Sequence, residues 1–158
     1  MEELVKEGKI RAWGVSNFDT DDMEELFAIP GGESCAVNQV LYHLGSRGIE
    51  YSLKPWMDAH GVVLMAYCPL AQAGTLQRKL MTHPVINKIA GAHHITVIQL
   101  LLAFVLHKEN VTAIPRSGNA AHVQANAEAM KVRLSEREWM EIDHAFPAPD
   151  YKCCLDIV

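Results

Sequence analysis

The chain has 158 residues, 49% of them hydrophobic, which is enough for one domain with a sizeable core. Its formal net charge is -5 and its basic residues are scattered, which argues against nucleic acid because phosphate binding needs clustered lysine and arginine. No charged segment precedes an apolar stretch at the N-terminus, and the longest apolar run, Leu100 to Leu106, is far shorter than a bilayer span. We therefore expect a soluble, cytoplasmic protein with no membrane or nucleic-acid partner.

Strand-like and helix-like segments alternate at intervals of roughly thirty residues, the period of a β/α unit, which favours a parallel sheet. A short helix ending at Gly8 comes first. Continuously apolar segments, typical of strands covered on both faces, predict strands at Ile10 to Val15, Ala36 to Val40, Val62 to Ala66 and Val111 to Ile114. Helices are predicted at Thr20 to Phe27, about Tyr51 to His60, Val85 to His93, Val97 to Lys108, Ala120 to Met130 and Glu136 to Phe146.

Two helix starts carry specific signals. Ser135 and Glu138 have the spacing of a capping box, and Asn119 is placed to cap the helix that follows it. The tail from Pro147 to Val158 is predicted to be irregular.

The strand count limits the architecture. A complete (β/α)8 barrel typically needs about 250 residues, so four strands predict half of one, forming a single partial domain over residues 1 to 158. The expected fold class is α/β, with about four parallel strands and surrounding helices. A half barrel exposes two edge strands and a concave apolar face, so we expect self-association as a homodimer or larger assembly.

Four sequence blocks carry a family resemblance. They are Gly8-Lys9-Ile10-Arg11 with Gly14-Val15-Ser16-Asn17-Phe18, then Asn38-Gln39-Val40-Leu41-Tyr42-His43, Ala66-Tyr67-Cys68-Pro69-Leu70 and Ile114-Pro115-Arg116-Ser117. In this order and spacing the chain resembles the C-terminal half of a bacterial NADPH-dependent aldo-keto reductase. The resemblance covers nearly the whole chain and implies barrel strands five to eight.

The resemblance implies a nicotinamide site. Ser16 and Asn17, after the fifth strand, and Gln39, on the sixth, are expected to hold the carboxamide, whose donor and acceptor edges neutral amides and hydroxyls can match. From the residues alone, Ser16 and Asn17 could instead cap a helix, and Gln39 could satisfy loop backbone.

The third block is expected to serve the rest of the cofactor. Tyr67 corresponds to the ring on which the nicotinamide stacks, although a lone tyrosine after an apolar strand could be a core residue. Cys68 stands where a serine is commoner, and Leu70 corresponds to a backbone contact with the pyrophosphate.

The fourth block is expected to bind a phosphate. Arg116, Ser117, Gly118 and Asn119 combine a cation, a hydroxyl and free N–H groups at a helix start, which the family uses for the 2′-phosphate of NADP. A solvated charge at a helix start is the alternative for Arg116.

Two positions on the following helix complete the expected site. His122 stands where many members have a second arginine on the 2′-phosphate, and Asn126 matches a polar residue that contacts adenine, whereas Ala125 replaces an acidic partner common there. No metal site is predicted, because His93 and His94 would point about 100° apart on a helix and no third ligand is suitably spaced.

The cysteines do not indicate a disulfide framework. Cys35, Cys68 and the adjacent pair Cys153 and Cys154 match neither a secreted pattern nor a zinc spacing, so we interpret them as reduced thiols. A strained bond between the adjacent pair is the alternative.

No catalytic residue is assigned in this chain. The family uses a tyrosine acid with lysine, aspartate and histidine after earlier barrel strands, which would precede Met1, so we expect the isolated chain to be close to inactive. Tyr42 and His43 would border the site of a small carbonyl substrate. The chain is thus predicted to be the NADP(H)-binding half of a reductase; the alternatives are a non-catalytic, self-assembling NADP(H)-binding module and a nonfunctional truncation product.

Overall fold

Four short strands form one parallel sheet in the order β1-β2-β3-β4 in the computed structural model, which describes residues 1–158. The strands are β1 (Gly14–Ser16), β2 (Val37–Leu41), β3 (Val63–Tyr67) and β4 (Val111–Ala113). Each strand pairs with the next one along the chain, so β1 and β4 are the two edges. The predicted parallel α/β sheet is confirmed.

Helices follow the strands, as a β/α pattern requires. They are α1 (Glu2–Lys6), α2 (Thr20–Phe27), α3 (Leu53–His60), α4 (Thr75–Thr82), α5 (Pro84–Ala92), α6 (Val97–His107), α7 (Ala120–Glu128) and α8 (Glu136–Ala145). Short 3-10 turns lie at Gly32–Ser34, Gly48–Glu50 and Ala129–Lys131. No single helix is long and apolar enough to cross a membrane. Only α5 and α6 taken together have that length and apolarity, and their axes meet at 94°.

The predicted helix signals are confirmed at both positions. Ser135 and Glu138 form a reciprocal capping box on α8, and the Asn119 side chain accepts a hydrogen bond from the Ala121 N–H at the start of α7. Gly8 follows α1 with φ at +70°, a left-handed conformation in which a glycine is unstrained.

Two predictions were wrong in extent. The first strand begins at Gly14 rather than Ile10, because β1 lies at the sheet edge and its ladder pairs start there. The helix predicted to end at Met130 ends at Glu128 and passes into a 3-10 turn. Sequence patterning also missed α4, whose segment carries no side-chain cap and buries only Leu80.

Side-chain alternation gives the sheet two different faces. Asn38, Val40, Leu64 and Ala66 are fully buried in the main core. The alternate positions lie on the opposite face and are only half-buried: Val37, Gln39, Val63, Met65 and Tyr67. The helix-packed side therefore forms the core, and the other side of the sheet stays open.

Close packing between β1 and β2 predicts a large effect of one methyl group. An added Cβ at Gly14 would lie 2.3 Å from both Cγ1 and the carbonyl oxygen of Val37, so Gly14→Ala should lower the unfolding free energy by about 1–3 kcal/mol. Urea denaturation measures this change. The matched control is Gly91→Ala on α5, where nothing lies within 4 Å, and it should stabilise the chain by about 0.5–1 kcal/mol. Equal urea midpoints for the two variants would show that the close contact between Gly14 and Val37 does not limit stability.

Candidate functional site

The polar residues singled out in the sequence lie together at the carboxyl ends of the four strands. We call this end of the sheet the rim. Parallel strands present their carboxyl ends together, and here Ser16 ends β1, Tyr67 ends β3 and Arg116 follows β4. The register places Ser16 beside Gln39 and Leu41 beside Tyr67. The fold therefore assembles the four sequence blocks along one rim, as the resemblance implies.

The turn after β1 joins three of the predicted site residues. The Ser16 hydroxyl and the Asn17 N–H each donate to the Gln39 carbonyl oxygen, both at 2.9 Å. Asn17 has φ at +57°, a left-handed conformation that asparagine tolerates better than most residues. Ser16, Asn17 and Gln39 are therefore held together by two hydrogen bonds to one backbone oxygen.

The alternative structural roles for these residues do not hold. Asp19, not Ser16 or Asn17, caps α2: its side chain accepts from the Thr20 N–H and forms a capping box with Asp22. The Gln39 amide donates to the Met65 sulfur at 3.0 Å rather than to loop backbone. Ser16 and Asn17 therefore do not cap α2, and the Gln39 amide does not bond loop backbone; the Ser16 hydroxyl bonds the Gln39 carbonyl oxygen instead.

Two buried polar atoms at this rim have no hydrogen-bond partner. They are the Asn17 Oδ1 and the Tyr67 hydroxyl. A buried polar atom without a partner is costly, and such atoms are enriched where a ligand completes the hydrogen bonding. The Met65 sulfur is also only a weak acceptor for the Gln39 amide. The nicotinamide end of the predicted site therefore has unused hydrogen-bonding capacity.

A strained turn follows β3. Cys68 and Ala71 have φ at +48° and +62°, and the Ala71 N–H donates to the Cys68 carbonyl oxygen at 2.9 Å. Gln77, on the unpredicted helix α4, donates to the carbonyl oxygens of Leu70 and Ala71 at 3.3 and 3.4 Å. Left-handed non-glycine residues cluster at functional sites, so this turn is a candidate cofactor contact. Gln77 gave no signal in the sequence because its helix was not recognised.

The segment after β4 is open to solvent. Arg116 is exposed, and the Ser117 hydroxyl accepts from the Asn119 N–H at 3.1 Å, which shapes the entry to α7. His122 is exposed on the first turns of α7, and Asn126 is half-buried further along it. The cation, hydroxyl and helix start are thus adjacent, while no hydrogen bond joins them to the Ser16 end of the rim.

A buried ionic cluster lies behind the rim. Arg47 donates to both oxygens of Glu50 at 2.8 and 2.9 Å, and the Tyr42 hydroxyl donates to Glu50 at 2.8 Å. Arg47 also contacts Asp143 at 2.8 Å and the Phe146 carbonyl, so it ties the segment after β2 to the end of α8. Sequence reasoning missed this cluster because Tyr42, Arg47 and Glu50 are close along the chain but form no periodic motif, and Phe146 lies 99 residues from Arg47.

Tyr42 and His43 are both buried. They are 1% and 3% exposed. Burial, reinforced by the Glu50 carboxylate, raises the pKa of Tyr42, and burial lowers the pKa of His43 against the opposing effect of Asp156. Tyr42 is therefore not placed to donate a proton, and the implied position of the pair at the border of a substrate site stays a prediction.

The irregular tail folds back over the segment after β2. Asp156 accepts from the Ser46 hydroxyl at 2.5 Å, and Lys152 pairs with Asp21 of α2 at 2.8 Å. Cys153 lies against Gly48. The tail thus connects the first turn of α2 with the loop after β2. All four cysteines are free thiols, and no group of three or more His, Cys, Asp or Glu side chains could hold a metal ion.

Comparison with known families agrees with the rim geometry. A model of the aldo/keto reductase family matches residues 1–146. The chain belongs to the aldo/keto reductase family. A crystal structure of an aldo/keto reductase from Klebsiella pneumoniae in complex with NADP and acetate superposes with a TM-score of 0.96 at 53% identity, covering 100% of this chain and 56% of that one. The fold class of this aldo/keto reductase chain, part of a (β/α)8 barrel, is thereby confirmed.

Two relatives carry names that describe activities. A methylglyoxal reductase of Escherichia coli K12 is 54% identical over 158 residues, which are 100% of this chain and 56% of that protein. A glyoxal reductase of Bacillus subtilis 168 is 34% identical over 143 residues, covering 90% of this chain and 49% of that protein. The aldo/keto reductase chain therefore spans about half the length of the curated relatives it matches.

The ionic cluster predicts a pH-dependent contribution to stability. Burial alone would raise the pKa of Glu50, but hydrogen bonds from Arg47 and Tyr42 outweigh it and lower that pKa below its ordinary 4.5. The stabilisation is therefore present above the ordinary value and is lost as pH falls through the lowered one. At pH 7, Glu50→Gln should cost about 1–3 kcal/mol of unfolding free energy, because the buried Arg47 then keeps only the more exposed Asp143 as a counterion.

Urea denaturation from pH 7 to pH 3 tests this prediction. The difference between wild type and Glu50→Gln should shrink as pH falls, whereas the exposed Glu136 on α8 provides a control, Glu136→Gln, with little effect at any pH. A difference that stays constant down to pH 3 would show that the charge of Glu50 is not what stabilises the cluster.

Proposed function

We propose that this chain is the cofactor-binding half of an NADPH-dependent aldo/keto reductase, which reduces a carbonyl compound to an alcohol. The observation that carries the proposal is the turn after β1, where Ser16, Asn17 and Gln39 meet and the buried Asn17 Oδ1 has no partner. Family membership and the NADP in the similar Klebsiella structure support it.

The residues present fit a nicotinamide carboxamide. Asn17 Oδ1 would accept from the amide NH2, and the Gln39 amide, now donating to a weak sulfur acceptor, would donate to the amide oxygen. Ser16 would provide the neighbouring hydroxyl and Tyr67 the stacking ring. Bound NADPH supplies a hydride for the carbonyl carbon. None of these protein groups is charged, so they orient the ring without adding charge beside the hydride.

The other end of the cofactor would lie between β3 and α7. Cys68 and the backbone at Leu70 would contact the pyrophosphate. Arg116, Ser117 and the α7 N-terminus capped by Asn119 would receive the 2′-phosphate, because a guanidinium and oriented N–H groups favour a dianion. On α7, His122 would add a donor to the phosphate, and Asn126 would contact the adenine.

We assign no proton donor within residues 1–158. Tyr42 donates to Glu50 in the core, and its raised pKa disfavours proton release. General-acid catalysis contributes about 10² to 10⁴ in rate, so the 158 residues alone should turn over aldehydes very slowly. Methylglyoxal and glyoxal, from the names of the two relatives, are the first substrates to test once the rest of a barrel is supplied. Rapid NADPH oxidation by the 158 residues alone would contradict this assignment.

Cofactor titration tests the proposal directly. NADPH fluorescence should change on binding to the 158-residue chain. Arg116→Ala should weaken the binding of NADP by about tenfold and that of NAD much less, because only NADP carries the 2′-phosphate. Arg137→Ala, which removes another exposed arginine at the start of α8, is the matched control and should change neither affinity. Absence of binding at hundreds of micromolar NADPH would refute the proposed function, and an equal loss of NADP and NAD affinity would refute the role of Arg116.

A second candidate function follows from the open face of the sheet. Val37, Val63 and Met65 are apolar and only half-buried there, and β1 and β4 have unpaired outer edges. Apolar surface and free strand edges favour association, so we propose that copies of the chain cover this face for one another as a self-assembling NADP(H)-binding module.

The molar mass measured by light scattering tests whether the chain self-assembles. The wild-type chain should be dimeric or larger at micromolar concentration, and Val63→Glu should shift it towards monomer because the new carboxylate would be buried in the contact. Ile98→Glu, an equivalent change at a residue 37% exposed on α6, should leave the mass unchanged. A wild-type chain that stays monomeric under these conditions would rule out self-assembly through the open face.

A further inference from the structure

We propose that Asn38 is a positioning residue, which holds the turn after β1 in the conformation that presents Asn17 and Ser16. It contacts neither the cofactor nor the substrate in this proposal. Only its consequence for cofactor affinity rests on the proposed function; its effect on the turn stands by itself.

Asn38 is a polar residue in an apolar layer. The sheet register places it between Val15 on β1 and Leu64 on β3, and its side chain has no solvent exposure. The neighbouring positions on the same face, Val40 and Ala66, are equally buried and apolar. An amide at this position must therefore be compensated by a specific hydrogen bond.

That hydrogen bond is made to the turn and not to the sheet. The Asn38 Nδ2 donates to the Phe18 carbonyl oxygen at 2.8 Å, while the Asn38 Oδ1 is buried with no partner. Half of the amide is thus unsatisfied, so an apolar side chain of similar size would fill the layer without that penalty. What the asparagine adds, and an apolar residue cannot, is a donor for Phe18.

The position of Asn38 in β2 links the two faces of the sheet. Successive strand residues point to opposite faces, so Asn38 lies on the helix side while Gln39 lies on the open side. The Gln39 carbonyl receives the Ser16 hydroxyl and the Asn17 N–H, and the Asn38 side chain donates to the next residue, Phe18. Two adjacent residues of β2 therefore hold three consecutive residues, the last residue of β1 and the first two of the turn.

The hydrogen bond from Asn38 to Phe18 matters because the neighbouring Asn17 has a left-handed backbone conformation. A residue with φ at +57° persists only where surrounding contacts determine its conformation. The α2 helix that follows is held separately by the Asp19 capping box, so loss of the Asn38 bond should release the turn without unfolding that helix. The predicted consequence is local: Asn17 loses its orientation while the sheet remains intact.

Amide hydrogen exchange tests the positioning role in the absence of any ligand. Asn38→Leu should accelerate exchange of the Asn17 N–H at least about tenfold while β3 amides such as that of Leu64 keep their protection. Asn38→Ser, which is shorter and cannot reach Phe18, is the second variant and should behave in the same way.

A matched control comes from the opposite end of the sheet. The Asn110 side chain also donates to a backbone carbonyl, that of Val62 at 2.9 Å, and its φ of +56° is compatible with glycine. Asn110→Gly should leave exchange at Asn17 unchanged. Unchanged Asn17 exchange in both Asn38 variants would overturn the inference. Loss of protection across all four strands in both variants would also overturn it, because Asn38 would then support the whole sheet.

Cofactor binding gives a second readout that a general loss of stability would not reproduce. Asn38→Leu should weaken NADPH by about tenfold but leave 2′,5′-ADP, which lacks the nicotinamide, with wild-type affinity. Equal weakening of both ligands, or of neither, would overturn the positioning role at the nicotinamide end. If the wild-type chain binds no NADPH, the proposed function fails, and hydrogen exchange at Asn17 still decides the role of Asn38.

Discussion

The carbonyl oxygen of Gln39 is the acceptor that attaches the end of β1 to the rest of the sheet. β1 is a three-residue edge strand, and the hydroxyl of its last residue, Ser16, and the N–H of the next residue, Asn17, both donate to this oxygen. Edge strands of this length have few ladder bonds to hold them. The direction in which the turn leaves the sheet, and with it the position of α2 and of the candidate site, depends on this shared acceptor.

A second constraint acts behind the rim. Arg47 is buried, pairs with Glu50 and reaches the end of α8, where the tail begins. Breaking such a pair is costly because it removes a counterion from a buried charge. These contacts fix the position of the loop after β2 relative to the start of the tail without any ligand. The tail also contacts α2 through the pair of Lys152 and Asp21.

The two faces of the sheet differ in how far they are buried. The helix side has a well-filled apolar core, whereas the opposite side carries half-buried residues and the rim of polar groups. In an eight-stranded barrel that second face is the interior. The same surface thus bears the proposed cofactor site and the half-buried apolar positions, which favour association with further polypeptide.

Much of the fold and of the site could be predicted from local patterns. Four apolar segments, the caps at Asn119 and Ser135, and the blocks around Ser16, Gln39, Tyr67 and Arg116 are signals contained within a few residues, because alternation and capping depend on near neighbours. The strand ends of β1 and the helix α4 were not predictable in this way, since the former depends on pairing with β2 and the latter has no cap.

By itself, the sequence determined which segments are strands and which residues lie at their carboxyl ends, and the family resemblance predicts what those residues would bind. Only the tertiary structure decided how they are held. The bond from Asn38 to Phe18 spans 20 residues and that from Ser46 to Asp156 spans 110, so neither leaves a local pattern. The burial of Tyr42 against Glu50 was equally invisible, because burial depends on packing between elements that are distant along the chain.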